Sequence, residues 1–411
     1  MNAATDTSLL VENYPAQRMS LRVAIVTETY PPEINGVATT LARLVRGLQV
    51  RGHDVQLVRP RQQQDKLPAT GVPATEEVLT KGMPIPKYPH LRMGLPSKKQ
   101  LVSLWTLRRP DVVHIATEGP LGWSALQAAR KLKLPVSSDF RTNFDAYSHH
   151  YRLGWLHKPI AAYLRKFHNL ADCTLVPTQQ LRSALSASGF ERLHVVARGI
   201  DTAAFDPALR DPVLRREWGV APGERVALYV GRLAPEKNPQ LLASTFNAML
   251  AADPNLTCVV VGDGPSAADI RQACPQARML GSQTGQMLAR CYASADLFIF
   301  PSQTETFGNV TLEAMASGLV VVAFDHAAAA EVITHRHNGW LAPLGDDNSF
   351  IQTAVSLALD PTSDAVVQQA ARATVLARDW THIVGQVEHI WLGLTQPAHA
   401  AVNTRWQAQL T

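Results

Sequence analysis

The chain has 411 residues, 46% hydrophobic and 18% charged, with a net charge of +5. This balance supplies enough apolar side chains for real cores and excludes a disordered polyelectrolyte. The length suits two or three domains, and no apolar run approaches the ~18 residues of a helical membrane span.

Residues 1–20 are polar and carry Asp6 and Glu12. They lack the basic start and apolar stretch of a secretory signal, so a flexible tail is expected. The four cysteines, Cys173, Cys258, Cys274 and Cys291, form no C-x-x-C pair and have no histidines at zinc-ligand spacing. Reduced, buried thiols in a cytoplasmic protein are expected.

The first apolar run, residues 21–27, reads as a strand and ends in a loop rich in Pro and Gly. A helical pattern over 37–50 follows, closed by Arg51-Gly52-His53, and then a second strand over 54–59. Apolar runs at 112–115, 135–138, 173–176 and 194–196 read as further strands. The pattern then begins again, with a strand at 225–230, a helix at 239–252, and strands at 256–261, 277–280, 297–300 and 320–324. Strands alternating with helices predict parallel sheets covered on both faces. The expected fold class is α/β, with two facing Rossmann-like, doubly wound domains over 21–200 and 201–379. A cleft is expected at the carboxyl ends of their strands. Residues 199–223, with Pro207, Pro212 and Pro222, form a candidate hinge. A last helix over 380–394 carries Trp380, Ile383, Val387, Ile390 and Trp391 on one apolar face.

Charge is unevenly placed. Residues 87–166 hold 14 Lys and Arg against 4 Asp and Glu, whereas residues 201–331 hold 9 against 14. A basic face attracts nucleic acid or an anionic membrane, and it can equally be a merely soluble surface. Trp105, Trp123, Tyr151, Trp155 and Tyr163 lie in the basic stretch and can sit at a headgroup boundary. The competing reading makes Trp155 and Tyr163 core residues.

Four loops carry candidate chemistry. Asn35-Gly36 lies between the first strand and its helix, where a glycine lets backbone N–H groups approach an anion. Gly231-Arg232-x4-Lys237 follows the first strand of the second series, and two cations at the mouth of a sheet suit a diphosphate. Gly262-Asp-Gly264-Pro-Ser-Ala267 imitates the G-x-G-x-x-A of dinucleotide enzymes. Pro265 intrudes there and the strand is the second of its series, so a glycine turn beside a nucleotide fits better than an NAD site. Gly281, after the strand at 277–280, is a further candidate contact. In Pro301-Ser-Gln-Thr-Glu305-Thr-Phe307-Gly308-Asn309-Val310-Thr-Leu-Glu313, Glu305 falls in a loop and Glu313 two turns into a helix. Carboxylates accept two hydroxyl hydrogen bonds and so suit sugars and ribose, although Glu305 would also complement a helix dipole.

The run Glu305-x7-Glu313, enclosing Phe307-Gly308, resembles the E-x7-E motif of family-four retaining glycosyltransferases of the GT-B fold. Gly231-Arg232-x4-Lys237 and Asn35-Gly36 match the family's other two donor-site motifs in order and spacing, and the resemblance covers about residues 21–395. It implies that Arg232 and Lys237 hold a diphosphate and that Glu305 orients the donor sugar. It also implies that Phe307, Gly308, Asn309 and Val310 offer backbone N–H groups, that Glu313 binds ribose, and that Gly36 faces the diphosphate from the first domain. The last segment, 380–400, would cross back to the first domain. The departing phosphate oxygen would deprotonate the acceptor on the same face.

The family often has a histidine facing the donor sugar. The matching segment here, Asp139-Phe-Arg141-Thr-Asn143, places Arg141 at that position. Arginine cannot act as a base, but it can hydrogen-bond a hydroxyl or stabilise charge. His114, Glu118 and Gly119 follow an earlier strand and are expected to line the cleft, while His149 and His150 receive no role. The wording of residues 27–36 and 116–122 is most similar to bacterial α-mannosyltransferases that use GDP-mannose. Glucosyl- and sulfoquinovosyl-diacylglycerol synthases, which use UDP-sugars, are close alternatives. A nucleotide-sugar epimerase and a non-catalytic sugar-nucleotide binder are the others. The expected partners are a nucleotide-sugar donor and a lipid-linked or glycan acceptor, with peripheral contact to an anionic membrane and no nucleic acid. The chain contains no D-x-D pair, so neither a metal nor any other cofactor is expected.

Overall fold

The structure, a computed structural model, describes residues 20–33, 36–62, 65, 76–85, 88–140, 157–305, 307–362 and 364–395. The first half runs β1 (Arg22–Val26), α1 (Gly36–Val50), β2 (Asp54–Pro60), β3 (Glu76–Thr80), β4 (Gly82–Ile85), β5 (Tyr88–Gly94) and α2 (Lys98–Leu107). It continues through β6 (Val112–Ile115), α3 (Pro120–Lys131), β7 (Val136–Asp139), α4 (His157–Asn169), β8 (Cys173–Val176), α5 (Gln179–Ala187) and β9 (Leu193–Val195). A 3-10 turn (Pro207–Leu209) and α6 (Pro212–Glu217) lead to the second half. That half runs β10 (Val226–Val230), α7 (Pro239–Ala252), β11 (Thr257–Val261), α8 (Ala267–Ala273), β12 (Arg278–Met279), α9 (Gly285–Ala293) and β13 (Leu297–Phe300). It ends with α10 (Asn309–Ala316), β14 (Val320–Phe324), α11 (Ala327–Val332), β15 (Trp340–Ala342), α12 (Asp347–Leu359), α13 (Asp364–Leu376) and α14 (Trp380–Thr395).

Two parallel sheets result, ordered β3-β2-β1-β6-β7-β8-β9 and β12-β11-β10-β13-β14-β15. β6, β7, β8, β10, β13 and β14 are buried along their length, and β1 from Val23 onward, as strands covered by helices on both faces must be. The four strands absent from the sequence reading have reasons. β3 begins with Glu76-Glu77 at a sheet edge, β15 has three residues, and β4 pairs with β5 in a separate antiparallel hairpin. Edge strands are kept short and charged to block further pairing, which erases the apolar signal.

Each sheet changes direction beside its first strand. β1 lies between β2 and β6, and β10 between β11 and β13, so loops diverge at two switch points. These carboxyl edges meet across the domains. The Ala327 N–H at the end of the β14 loop donates to Gln180 Oε1 beyond β8 at 3.3 Å, and the Gln179 N–H donates to Glu331 Oε1 at 2.6 Å.

The segment expected as a hinge is tied down rather than loose. Asp206 pairs with Arg372, Asp211 with Arg290, and Arg210 with Asp296 at 2.7 Å. From Asp206 onward it belongs to the second domain. Helix α14 packs against the first domain instead. Val384, Val387 and Trp391 share a core with Leu41, Leu44, Leu48 and Val112. Glu388 receives hydrogen bonds from Arg51 and from His53 Nε2, the latter at 2.9 Å, and the ion pair holds its carboxyl below the usual range against the cost of burial. All four cysteines are free and buried.

Candidate functional site

The second sheet's switch point carries most of the candidate residues. After β10 the chain makes a 3-10 turn, Pro235–Lys237, and enters α7 through Asn238 in the left-handed region at φ 56°. That turn aims Lys237 at the loop after β13, the strand paired with β10. There Lys237 Nζ donates to Glu305 Oε1, with side chains only 19% and 14% exposed. Arg232 is half-exposed and pairs with Glu236. Thr304 Oγ1 donates to the Glu236 carbonyl at 2.6 Å, clipping the two loops together. His326, at the start of α11, approaches Glu305, and burial lowers its imidazole pKa against the opposing pull of that carboxylate.

The glycine loop after β11 has a packing reason. A Cβ on Gly262 would lie 1.9 Å from the Gly231 carbonyl oxygen, and one on Gly264 would lie 2.3 Å from that of Leu233. Their φ values of 144° and 153° also exclude most side chains. These glycines therefore let the β11 loop lie against the Arg232 loop. The Leu233 N–H donates to the Asp263 carbonyl at 2.9 Å and completes that contact. Gly281 has open space where a Cβ would stand, and its carbonyl accepts the Gly262 N–H at 2.8 Å.

Gly308 adopts φ 93° as the cap of α10, and Phe307 before it is buried. The first N–H groups of a helix lack intrahelical partners, so the Gly308, Asn309 and Val310 stretch presents donors. Because α10 begins at Asn309, Glu313 sits one turn into the helix, not two; Gly308 delays the start. Tyr292 Oη donates to Glu313 Oε2 at 2.9 Å. Burial pushes the Glu313 carboxyl up to about 7, and the tyrosine only partly offsets this.

On the opposing sheet, Gly36 is the first residue of α1. A Cβ there would lie 3.6 Å from Arg198 Nη1, just beyond β9. Glu28, after β1, accepts the Leu121 N–H at 3.0 Å at the start of α3, and burial raises its carboxyl to about 7. Gly119 caps α3, and a Cβ there would fall 2.2 Å from Glu28 Oε1, so any other residue would displace that carboxylate.

Two expectations for this side are corrected. His114 does not line the cleft: it is fully buried, 3.2 Å from Ser137 Oγ and 5.1 Å from the Trp391 ring, beneath α14. Glu118 turns inward to 3.4 Å from buried His168. Asn35, Arg141, His149 and His150 lie outside the described residues.

Two family models match the chain, "Glycosyltransferase Family 4" over residues 34–204 and "Glycosyl transferases group 1" over residues 224–360. A GDP-mannose-dependent alpha-mannosyltransferase of Mycobacterium tuberculosis is 34% identical over 368 residues, covering 88% of this chain and 93% of the relative. The chain belongs to glycosyltransferase family 4. This transferase is also 27% identical to sulfoquinovosyl transferase SQD2 of Arabidopsis thaliana, over 94% of this chain and 77% of that one. Anabaena HepE in complex with UDP shares the fold at TM-score 0.71 and 19% identity, over 91% of this chain and 100% of that one. The two-domain GT-B architecture expected from the sequence is thereby established.

Sequence reasoning missed three residues that the transferase brings to this site, Arg198, Glu236 and His326, and a fourth, Tyr292, that is buried beneath it and bonds Glu313. Glu236 was within reach, because it sits inside the spacer between Arg232 and Lys237. Tyr292 and His326 come from α9 and the β14 loop, and no spacing ties them to Glu313 or Glu305.

Proposed function

We propose that this glycosyltransferase moves a hexose, α-mannose from GDP-mannose, with retention of configuration, to a lipid-linked or glycan acceptor. The observation that carries the reading is the Lys237–Glu305 pair at the switch point of the second sheet, beside Arg232. A cation bonded to a carboxylate at a parallel-sheet edge suits a sugar diphosphate: the ammonium faces the phosphates and the carboxylate faces the hydroxyls. Arg232 adds a second cation. Gly308, Asn309 and Val310 supply N–H groups, Gly36 closes the far side, and Glu313 meets the ribose diol. In the transfer step the bond from sugar carbon to phosphate oxygen breaks, and the acceptor oxygen bonds to the same carbon on the same face. The departing phosphate takes the acceptor's proton. Arg141 would hydrogen-bond the sugar. The mannosyltransferase relative favours GDP-mannose; the sulfoquinovosyl relative favours a UDP-sugar as second reading.

The test is transfer from labelled GDP-mannose, UDP-glucose and ADP-glucose, each with and without excess EDTA. Two fixed cations and the lack of a D-x-D pair lead us to expect turnover from GDP-mannose that is undiminished by EDTA. A product released without acceptor attachment, or an absolute need for Mg²⁺ or Mn²⁺, contradicts the proposal.

Peripheral membrane contact is proposed through α4, where Lys158, Arg165 and Lys166 are exposed while Leu164 and Phe167 are buried. Among the described residues no helix is long and apolar enough to cross a membrane. Tyr163 is 38% exposed and packs on Trp123 at 5.7 Å. Trp105 does not belong to this surface: it is fully buried and donates to Gln56 Oε1 at 3.0 Å. Tyr151 and Trp155 lie outside the described residues. Each cation near an anionic surface contributes about 1 kcal/mol. Sedimentation with anionic vesicles should show binding that falls with rising salt and with charge reversal of Arg165 and Lys166. No binding at low salt would favour a soluble acceptor.

A further inference from the structure

Arg198 belongs to neither cation motif, yet it stands where the two domains meet. It lies just beyond β9, in the crossing from the first sheet to the second. Its Nη1 is 3.3 Å from Asn309 Oδ1 in the first turn of α10, and its Cζ is 5.5 Å from the centroid of the Phe307 ring. On the other side lies Gly36 at the start of α1, where a Cβ would stand 3.6 Å from the same Nη1, in ordinary contact. One guanidinium thus lies beside the start of α1 in the first domain and bonds the α10 entry of the second.

This placement has an electrostatic consequence. Helix N-termini carry partial positive charge, and Arg198 adds a full charge between two of them. The Phe307 face and Asn309 Oδ1 offset part of that repulsion. They also fix the orientation of the fork. A guanidinium is always ionised and matches phosphate oxygens bidentately. A site that gathers fixed positive charge at a cleft is prepared for an anion rather than for a neutral sugar.

We propose that Arg198 is a third cation of the donor site, binding the diphosphate from the first domain's side and stabilising it as it leaves. The inference rests on the diphosphate placement proposed above. Because Arg198 spans both domains, charge must be separated from mere bridging. The start of α1 and the α10 entry can be bridged by any residue of suitable length, but only a cation responds to the number of phosphates.

The experiment compares parent, Arg198→Gln and Arg198→Lys for affinity towards GDP, GMP, UDP and UMP, and for turnover. Arg198→Gln should weaken the favoured diphosphate about 10-fold or more while its monophosphate changes little, and should cut kcat about 100-fold. Arg198→Lys should recover part of both. Equal losses for diphosphate and monophosphate would reduce Arg198 to a structural bridge and overturn the proposal. So would an unchanged diphosphate affinity in Arg198→Gln alongside tight binding by the parent. A parent that binds neither GDP nor UDP overturns the donor-site reading itself, and this inference with it.

Discussion

Lys237→Ala is expected to lower turnover about 100-fold or more, with Glu305→Gln close behind, in protein that stays folded. Removing one preorganised partner of charge that develops in a transition state typically costs 100- to 1,000-fold, or about 2.7–4 kcal/mol. Lys237 has a second effect, because it is bonded to Glu305 at a mostly enclosed position. Without the ammonium, that carboxylate is left unpaired and will turn towards solvent or towards His326. The variant therefore loses a phosphate contact and the fixed orientation of the sugar-facing carboxylate together. The two changes share one interaction, so their effects should not add: the double variant should be little worse than Lys237→Ala alone. Initial rates with saturating donor, alongside a thermal melt for each variant, make the comparison. Near-normal turnover of either single variant would remove this pair from the site.

Trp391→Ala should give the largest loss of stability, about 3–5 kcal/mol. Trp391 is 0% exposed and stands on the buried His114 ring at 5.1 Å, in the core shared by α14, α1 and the first sheet. Truncation leaves a cavity under the helix that the second domain sends back to the first. Among the described residues the buried Trp391 indole Nε1 finds no hydrogen-bond partner. Trp391→Phe keeps most of the apolar contact and removes that unsatisfied donor, so it should cost less than about 1.5 kcal/mol. Urea unfolding, read separately for each domain because two-domain unfolding need not be two-state, checks both values. Equal costs for Ala and Phe would mean that aromatic apolar contact is not what docks α14. A loosened α14 should also lower turnover without altering diphosphate affinity, whereas Arg198→Gln is expected to lower both.

The strand series and the restart at β10 were legible because buried parallel strands are nearly continuous apolar runs. Lys237 and Glu305 could be picked out because each sits on a strand-to-helix loop, and Glu313 because it sits in the helix that such a loop enters; these loops gather at one sheet edge whatever the details of packing. The helical spacing of Trp380, Ile383, Val387, Ile390 and Trp391 also located α14 and its apolar stripe. Its contact with His114 could not be read, since that depends on how a helix from the end of the chain lies across a sheet from its beginning. The same limit misled the reading of Trp105 and His114. A basic, aromatic stretch looks like a surface until tertiary packing turns Trp105 onto Gln56 and His114 beneath Trp391. Arg198 is the clearest case. In the sequence it is one cation in Val-Ala-Arg-Gly-Ile, without a spacing to either motif. Only the docking of the two domains brings it between Gly36 and Asn309, residues far apart along the chain. Local pattern determines which elements form and which face they bury. Which side chains meet across the cleft depends on strand order and domain approach, and those are set by contacts between residues that no local periodicity connects.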